Sequence, residues 1–159
     1  MSWSDNLPEN PRVLVTGASG FVGAALCALL VERNWRVVAG CGRQGCQQVF
    51  PQIELQYLPL SRERDRWRRA LRSVDCVVHL AACVHRMRPD ERSQSEFHQI
   101  KVEGSRFVAE ECARAGVGRL VFLSSAKVNG EGNEARAYGS EDAPDPRDAY
   151  ARSKLAAEI

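Results

Sequence analysis

Near the end of the 159-residue chain, Tyr150 and Lys154 stand four apart in Tyr150-Ala151-Arg152-Ser153-Lys154, a spacing that puts a phenol and an amine on one helical face. A phenol can exchange a proton with a hydroxyl, and a nearby cation favours its ionised form. A second set lies near the start, where Gly17, Gly20 and Gly23 punctuate Val13-Leu14-Val15-Thr16-Gly17-Ala18-Ser19-Gly20-Phe21-Val22-Gly23. There a β-branched run enters a turn and leaves as the apolar stretch Ala24 to Val31. Gly17 permits a tight turn, Gly20 removes a Cβ where a phosphate must approach the backbone, and Gly23 lets the helix lie close on its strand. The helix N-terminus then offers free N–H groups and a positive dipole end to an anion. Strand, glycine turn and helix in that order predict nucleotide binding. His79 lies inside an apolar run and reads as a packed core residue, and His85 and His98 are not spaced with it as ligands. The six cysteines form no CxxC pair, so no metal site is expected and the thiols should be reduced and mostly buried.

Length and patterning predict the elements that hold these groups. A hydrophobic content of 44% in 159 residues is enough for one domain with a real core. A net charge of +2 is too mild to argue for nucleic acid, and the arginines from Arg62 to Arg72 are interleaved with Glu63 and Asp65 as on a solvated helix face. No apolar run reaches membrane-spanning length and Met1 to Asp5 is neither basic nor apolar, so a cytoplasmic protein with no membrane partner is expected. Residues 1–11 read as a flexible leader. Strands are expected at 12–16, 35–39, 55–60, 75–82 and from Gly118 to the pair Ser124-Ser125, the last two buried. Helices are expected at 21–33, after a Ser61 cap with Trp67, Ala70, Leu71 and Val74 inward, at 93–115, and after a cap at Asp148. Strands alternating with helices give an α/β fold, a doubly wound parallel sheet over 12–159. The segment 131–147 is too long for an ordinary connection and is expected over the active site.

Thr-Gly-x-x-Gly-x-x-Gly, Val-His-Leu-Ala-Ala, Ser-Ser and Tyr-x-x-x-Lys, in that order, resemble the extended short-chain dehydrogenase/reductases of the NAD-dependent epimerase/dehydratase family. The resemblance covers about residues 12 to 159 and implies a Rossmann fold ending after the Tyr-x-x-x-Lys helix, with a carboxyl-terminal substrate domain absent. It places a dinucleotide against Gly17, Ser19, Gly20, Phe21, Val22 and Gly23, beside Leu80, Ala81 and Ala82, with Lys101 where relatives carry Asn. By the same match Ser125 is the active-site hydroxyl, Ser124 its cofactor-side neighbour, and Asn129 replaces a usual tyrosine. Where such folds place an acid for the ribose hydroxyls, Gly40-Cys41-Gly42-Arg43 has none, and Arg43 leans the expectation to NADP over NAD. Pro59-Leu60 stands where many relatives carry Asp-Leu.

The implied chemistry has Tyr150 removing a sugar hydroxyl proton while the carbon passes hydride to the cofactor. Ser125 would hydrogen-bond the reacting oxygen, and Lys154 would favour the phenolate and hold the nicotinamide ribose. The resemblance thus implies a nucleotide-sugar epimerase, dehydratase or 4-ketoreductase of polysaccharide synthesis, dimeric through a four-helix bundle. The alternative is a catalytically silent NAD(P)-binding fragment or regulatory binding protein.

Overall fold

The computed structural model describes residues 7–42, 53–59, 63–81, 91–132 and 136–158, with 91–101 as helical backbone. Its strands are β1 (Arg12–Thr16), β2 (Arg36–Cys41), β3 (Glu54–Tyr57), β4 (Cys76–His79) and β5 (Arg119–Phe122). The helices are α1 (Phe21–Glu32), α2 (Arg64–Ala70), α3 (Glu91–Ala115) and α4 (Ala149–Glu158). The strands form one parallel sheet in the order β3-β2-β1-β4-β5. Thr16, Gly40, His79 and Phe122 stand in one row across it, so β1, β4 and β5 end level and β2 runs one residue further.

Side chains alternate across each strand and fill two cores. Leu14, Val38 and Val77 pack with Trp67 and Ala70 of α2, with Leu71 just after it, and with Phe107, Val108 and Cys112 of α3. Val13, Val15, Val37, Ala39 and Cys76 face the other way, against Cys27 and Leu30 of α1. Helices on both faces make the fold doubly wound, as the apolar runs predict. Each fully buried Val or Leu is worth about 1.5–3 kcal/mol, so these two layers hold the level strand ends.

The differences from expectation lie at element ends. β2 runs on to Cys41, β3 stops at Tyr57, and α2 begins after Glu63 with no side-chain cap. Ser61 lies outside the described residues. β5 was expected to be buried, yet Val121 is 42% exposed, because β5 is the edge strand among the described residues and apolar composition does not tell an edge from a centre. Cys27, Cys76 and Cys112 are free and buried, whereas Cys41 is disulfide-bonded, contrary to the expected reduced thiols. Its partner lies outside the described residues. Spacing along a chain does not reveal which thiols a fold brings together.

The chain divides into two compact units, Met1–Ala82 with Phe107–Phe122, and Cys83–Arg106 with Leu123–Ile159. The first holds the sheet and the glycine turn. The second holds the serine pair and α4.

Candidate functional site

In the first unit, β1 leads into the turn through Gly17, whose φ of +68° is left-handed. A Cβ there would sit 2.8 Å from Ala81 N and 2.9 Å from the Leu80 carbonyl carbon. The Gly20 N–H donates to the Gly17 carbonyl at 2.9 Å, and a Cβ at Gly23 would overlap that same oxygen. Gly23 therefore lets α1 close on the turn, rather than on the strand as expected from sequence. Gly20 differs from both, since a Cβ there would have one neighbour within 4 Å, the Gly17 oxygen at 3.2 Å.

Gly20 is the extended N-cap of α1, whose first turn has neither a side-chain cap nor an acid. Phe21 is 96% exposed and Val22 49%. A bare helix start, open at Gly20, fits a phosphate-bearing group in both shape and sign.

The β4 end is fixed to this turn by Thr16, which the sequence reading overlooked. Its hydroxyl lies 2.7 Å from His79 Nδ1 and accepts the Ala81 N–H at 3.1 Å. The Leu80 N–H donates to the Thr16 carbonyl at 3.3 Å. His79 is 2% exposed and its ring lies 5.9 Å from Phe122, so it is the packed core residue its apolar strand predicts. The available signal was a hydroxyl at the carboxyl end of an otherwise apolar strand.

In the second unit, Asp148 accepts the Ala151 N–H at 2.6 Å and caps α4, as expected. Lys154 is 7% exposed, and its Nζ donates to the Leu123 carbonyl at 2.8 Å. Tyr150 is half-buried on the same helix, and its carbonyl accepts the Ser153 hydroxyl at 2.7 Å. Ser124 donates to the Glu158 carboxylate. Ser125 caps the 3-10 turn Ala126–Val128 by accepting the Lys127 N–H at 3.3 Å. With that lone pair engaged, its own proton is directed elsewhere.

Lys127 joins the two pieces, its Nζ lying 2.8 Å from Asp148 and 2.9 Å from Glu131. Those carboxylates push the ammonium pKa upward. The Ala151 N–H, followed by Lys127, holds Asp148 below the usual carboxylate range. The i,i+4 pairing of Lys127 with Glu131 was readable from sequence, but the contact with Asp148, 21 residues away, was not.

The connection before α4 is organised by Asp142, which binds Arg136 at 2.5 and 2.9 Å and accepts the Gly139 N–H at 2.8 Å. Arg136 first, then that N–H, lowers the Asp142 pKa. Asn129 donates to the Asp142 carbonyl at 3.2 Å. Ser19 precedes the open Gly20 in the turn. Arg43 and Ala82 lie outside the described residues, and Lys101 is placed on α3 by its backbone alone.

The model of the NAD dependent epimerase/dehydratase family matches residues 13–159. Sterol-4-alpha-carboxylate 3-dehydrogenase, decarboxylating, from Bos taurus is 30% identical over 96% of this chain and 41% of its own length. UDP-glucose 4-epimerase from Vibrio cholerae is 30% identical over 92% of this chain and 44% of its own. Among solved structures, MoeE5 in complex with UDP-glucose and NAD superposes with a TM-score of 0.78 at 32% identity, covering 92% of this chain and 46% of that one. The chain thus spans less than half the length of these relatives. With the family model matched from β1 through α4, on a parallel sheet with a glycine turn, the chain belongs to the NAD-dependent epimerase/dehydratase family, a family of NAD-dependent oxidoreductases.

Proposed function

We propose that this chain is the dinucleotide-binding and proton-transferring part of an NAD(P)-dependent enzyme acting on a secondary hydroxyl of a nucleotide sugar, as an epimerase, dehydratase or 4-ketoreductase. The observation that carries the reading is Lys154, a nearly buried lysine one helical turn after Tyr150. Burying an ammonium is unfavourable unless it is paired or hydrogen-bonded, and here the Leu123 carbonyl holds it at 2.8 Å. That puts a held cation on the helix face that carries the phenol, the side chain proposed to exchange the proton. Family membership and the UDP-glucose and NAD bound by the related MoeE5 support the substrate and cofactor classes.

In this reading the N–H groups at the start of α1 hold the pyrophosphate. Ser19, Phe21, Val22, Leu80 and Ala81 border the rest of the cofactor, and Arg43 meets a 2′-phosphate. A nicotinamide held there would supply hydride exchange with the sugar carbon. Tyr150 takes the hydroxyl proton and gives it back, and Ser125 donates its proton to the reacting oxygen. Lys154 would hold the nicotinamide ribose.

Calorimetric titration with NADPH and NADH tests the cofactor site. Binding of either supports it, tighter NADH binding removes the role given to Arg43, and no binding of either at millimolar concentration overturns it. For the chemistry, UDP-glucose epimerisation is assayed in the full-length protein. Tyr150→Phe is expected to lose most turnover at unchanged cofactor affinity. Dinucleotide binding without turnover in the unsubstituted protein would instead favour a silent or regulatory binding role.

A further inference from the structure

We infer that Lys127 and Asp148 are positioning residues, an electrostatic strap that sets the Ser125 turn in register with the helix carrying Tyr150 and Lys154. What is positioned rests on the reading above, whereas the strap itself does not.

Segment 123–127 is tied to α4 and its cap at three levels. The Leu123 carbonyl accepts from Lys154, Ser124 donates to Glu158, and Lys127 meets Asp148 at 2.8 Å. The helix partners of the first two lie toward the carboxyl end of α4, and Asp148 lies at its cap. The segment is therefore gripped at both ends of α4, with Ser125 between the grips. Tyr150, Lys154 and Glu158 recur every four residues and share a helical face.

Of these ties, Lys127 to Asp148 links two local structures through one carboxylate. Asp148 Oδ1 accepts the Ala151 N–H that starts α4, and Oδ2 takes the ammonium of Lys127. The backbone N–H of Lys127 in turn donates to the Ser125 hydroxyl that caps the turn. A displacement of Asp148 is thus passed to the Ser125 hydroxyl through a single residue. The same ammonium also binds Glu131, which lies against Asp148 as well, so Lys127, Glu131 and Asp148 form one cluster at the cap.

Amide hydrogen exchange on the full chain tests the coupling without substrate or cofactor. Lys127→Met leaves the Asp148 cap in place, yet the amides of Ala151 to Leu155 should exchange about threefold faster, the scale of an exposed ion pair. Asp148→Asn keeps a capping oxygen, yet Val128 to Gly130 should exchange faster by a similar factor. The double variant should be no faster than the faster single, and Lys127→Arg should restore protection. Effects confined to the substituted segment, or multiplying in the double variant, would overturn the strap. In UDP-glucose epimerisation, Lys127→Met should lower kcat about threefold with KM for NAD⁺ unchanged, and Lys127→Arg should recover it. Turnover indifferent to Tyr150→Phe would refute the proposed chemistry instead, and it is recognised separately because the exchange measurements need no turnover.

Discussion

A methyl group added at Gly17, Gly20 or Gly23 meets three different surroundings. At Gly17 it combines a left-handed backbone with a contact at 2.8 Å to Ala81 N, and at Gly23 it overlaps the Gly17 carbonyl. Gly17→Ala and Gly23→Ala should each lower unfolding free energy by about 2 kcal/mol or more, read from urea melts. Gly20→Ala meets one oxygen at 3.2 Å in an ordinary backbone conformation, so its melting temperature should stay within a few degrees of the parent. Its NADH affinity should nevertheless fall by at least about tenfold, since the new methyl points where the proposed phosphate must approach. Unchanged affinity in a folded Gly20→Ala protein would remove the phosphate from this turn. All three glycines could be picked out from sequence, but the role of Gly17 depends on Ala81, brought alongside from 64 residues further along.

Between elements, apolar packing outweighs charge. Trp67 of α2 is fully buried, its ring 5.7 Å from Phe107 of α3 at 89°, and its indole N–H donates to the Pro59 carbonyl at 3.0 Å. Trp67→Ala should destabilise by about 3–5 kcal/mol in urea unfolding. Glu111 of α3 also bridges to α2, reaching Arg64 at 3.7 Å and Arg114 at 2.5 Å. Both guanidinium side chains are 50% exposed and can rehydrate, so Glu111→Ala should lose only about 1 kcal/mol in the same experiment. An equal loss at the two positions would show that the ion pairs, not the ring contact, join α2 to α3. The inward face of α2 was legible from its helical spacing. The Glu111 bridge was not, because Arg64 is 47 residues away in the chain.

At the scale of the whole molecule, the buried thiols set an alkaline limit. Burial pushes Cys27 up to about 11 and Cys112 up to about 12, each from an ordinary 9.0. The folded chain therefore keeps these protons where the unfolded chain releases them. Their contribution to stability is complete below pH 9.0 and declines as pH rises toward about 11 and 12. Unfolding free energy measured from pH 8 to 11 should fall with rising pH, and Cys27→Ala should flatten the slope. A slope unchanged by Cys27→Ala would assign the loss to other groups. Iodoacetamide at neutral pH should leave Cys27, Cys76 and Cys112 unmodified until the chain is unfolded.

The sequence by itself determined the features that depend on near neighbours. These are the glycine turn between a strand and a helix, the two-residue alternation that gives the sheet two faces, the Asp148 cap, and the placement of Tyr150 and Lys154 on one helical face. Such patterns are legible because backbone dihedrals and fixed periodicities act over a few residues. Only the tertiary structure decided that β1 lies between β2 and β4, that β5 is an edge among the described residues, and that Cys41 is in a disulfide. It also decided that Thr16 joins His79 across 63 residues, and that Lys127 meets Asp148 across 21. Each of these depends on which surfaces the packed elements present to one another, and a residue's type records that it can bond without recording which distant partner the fold will bring to it.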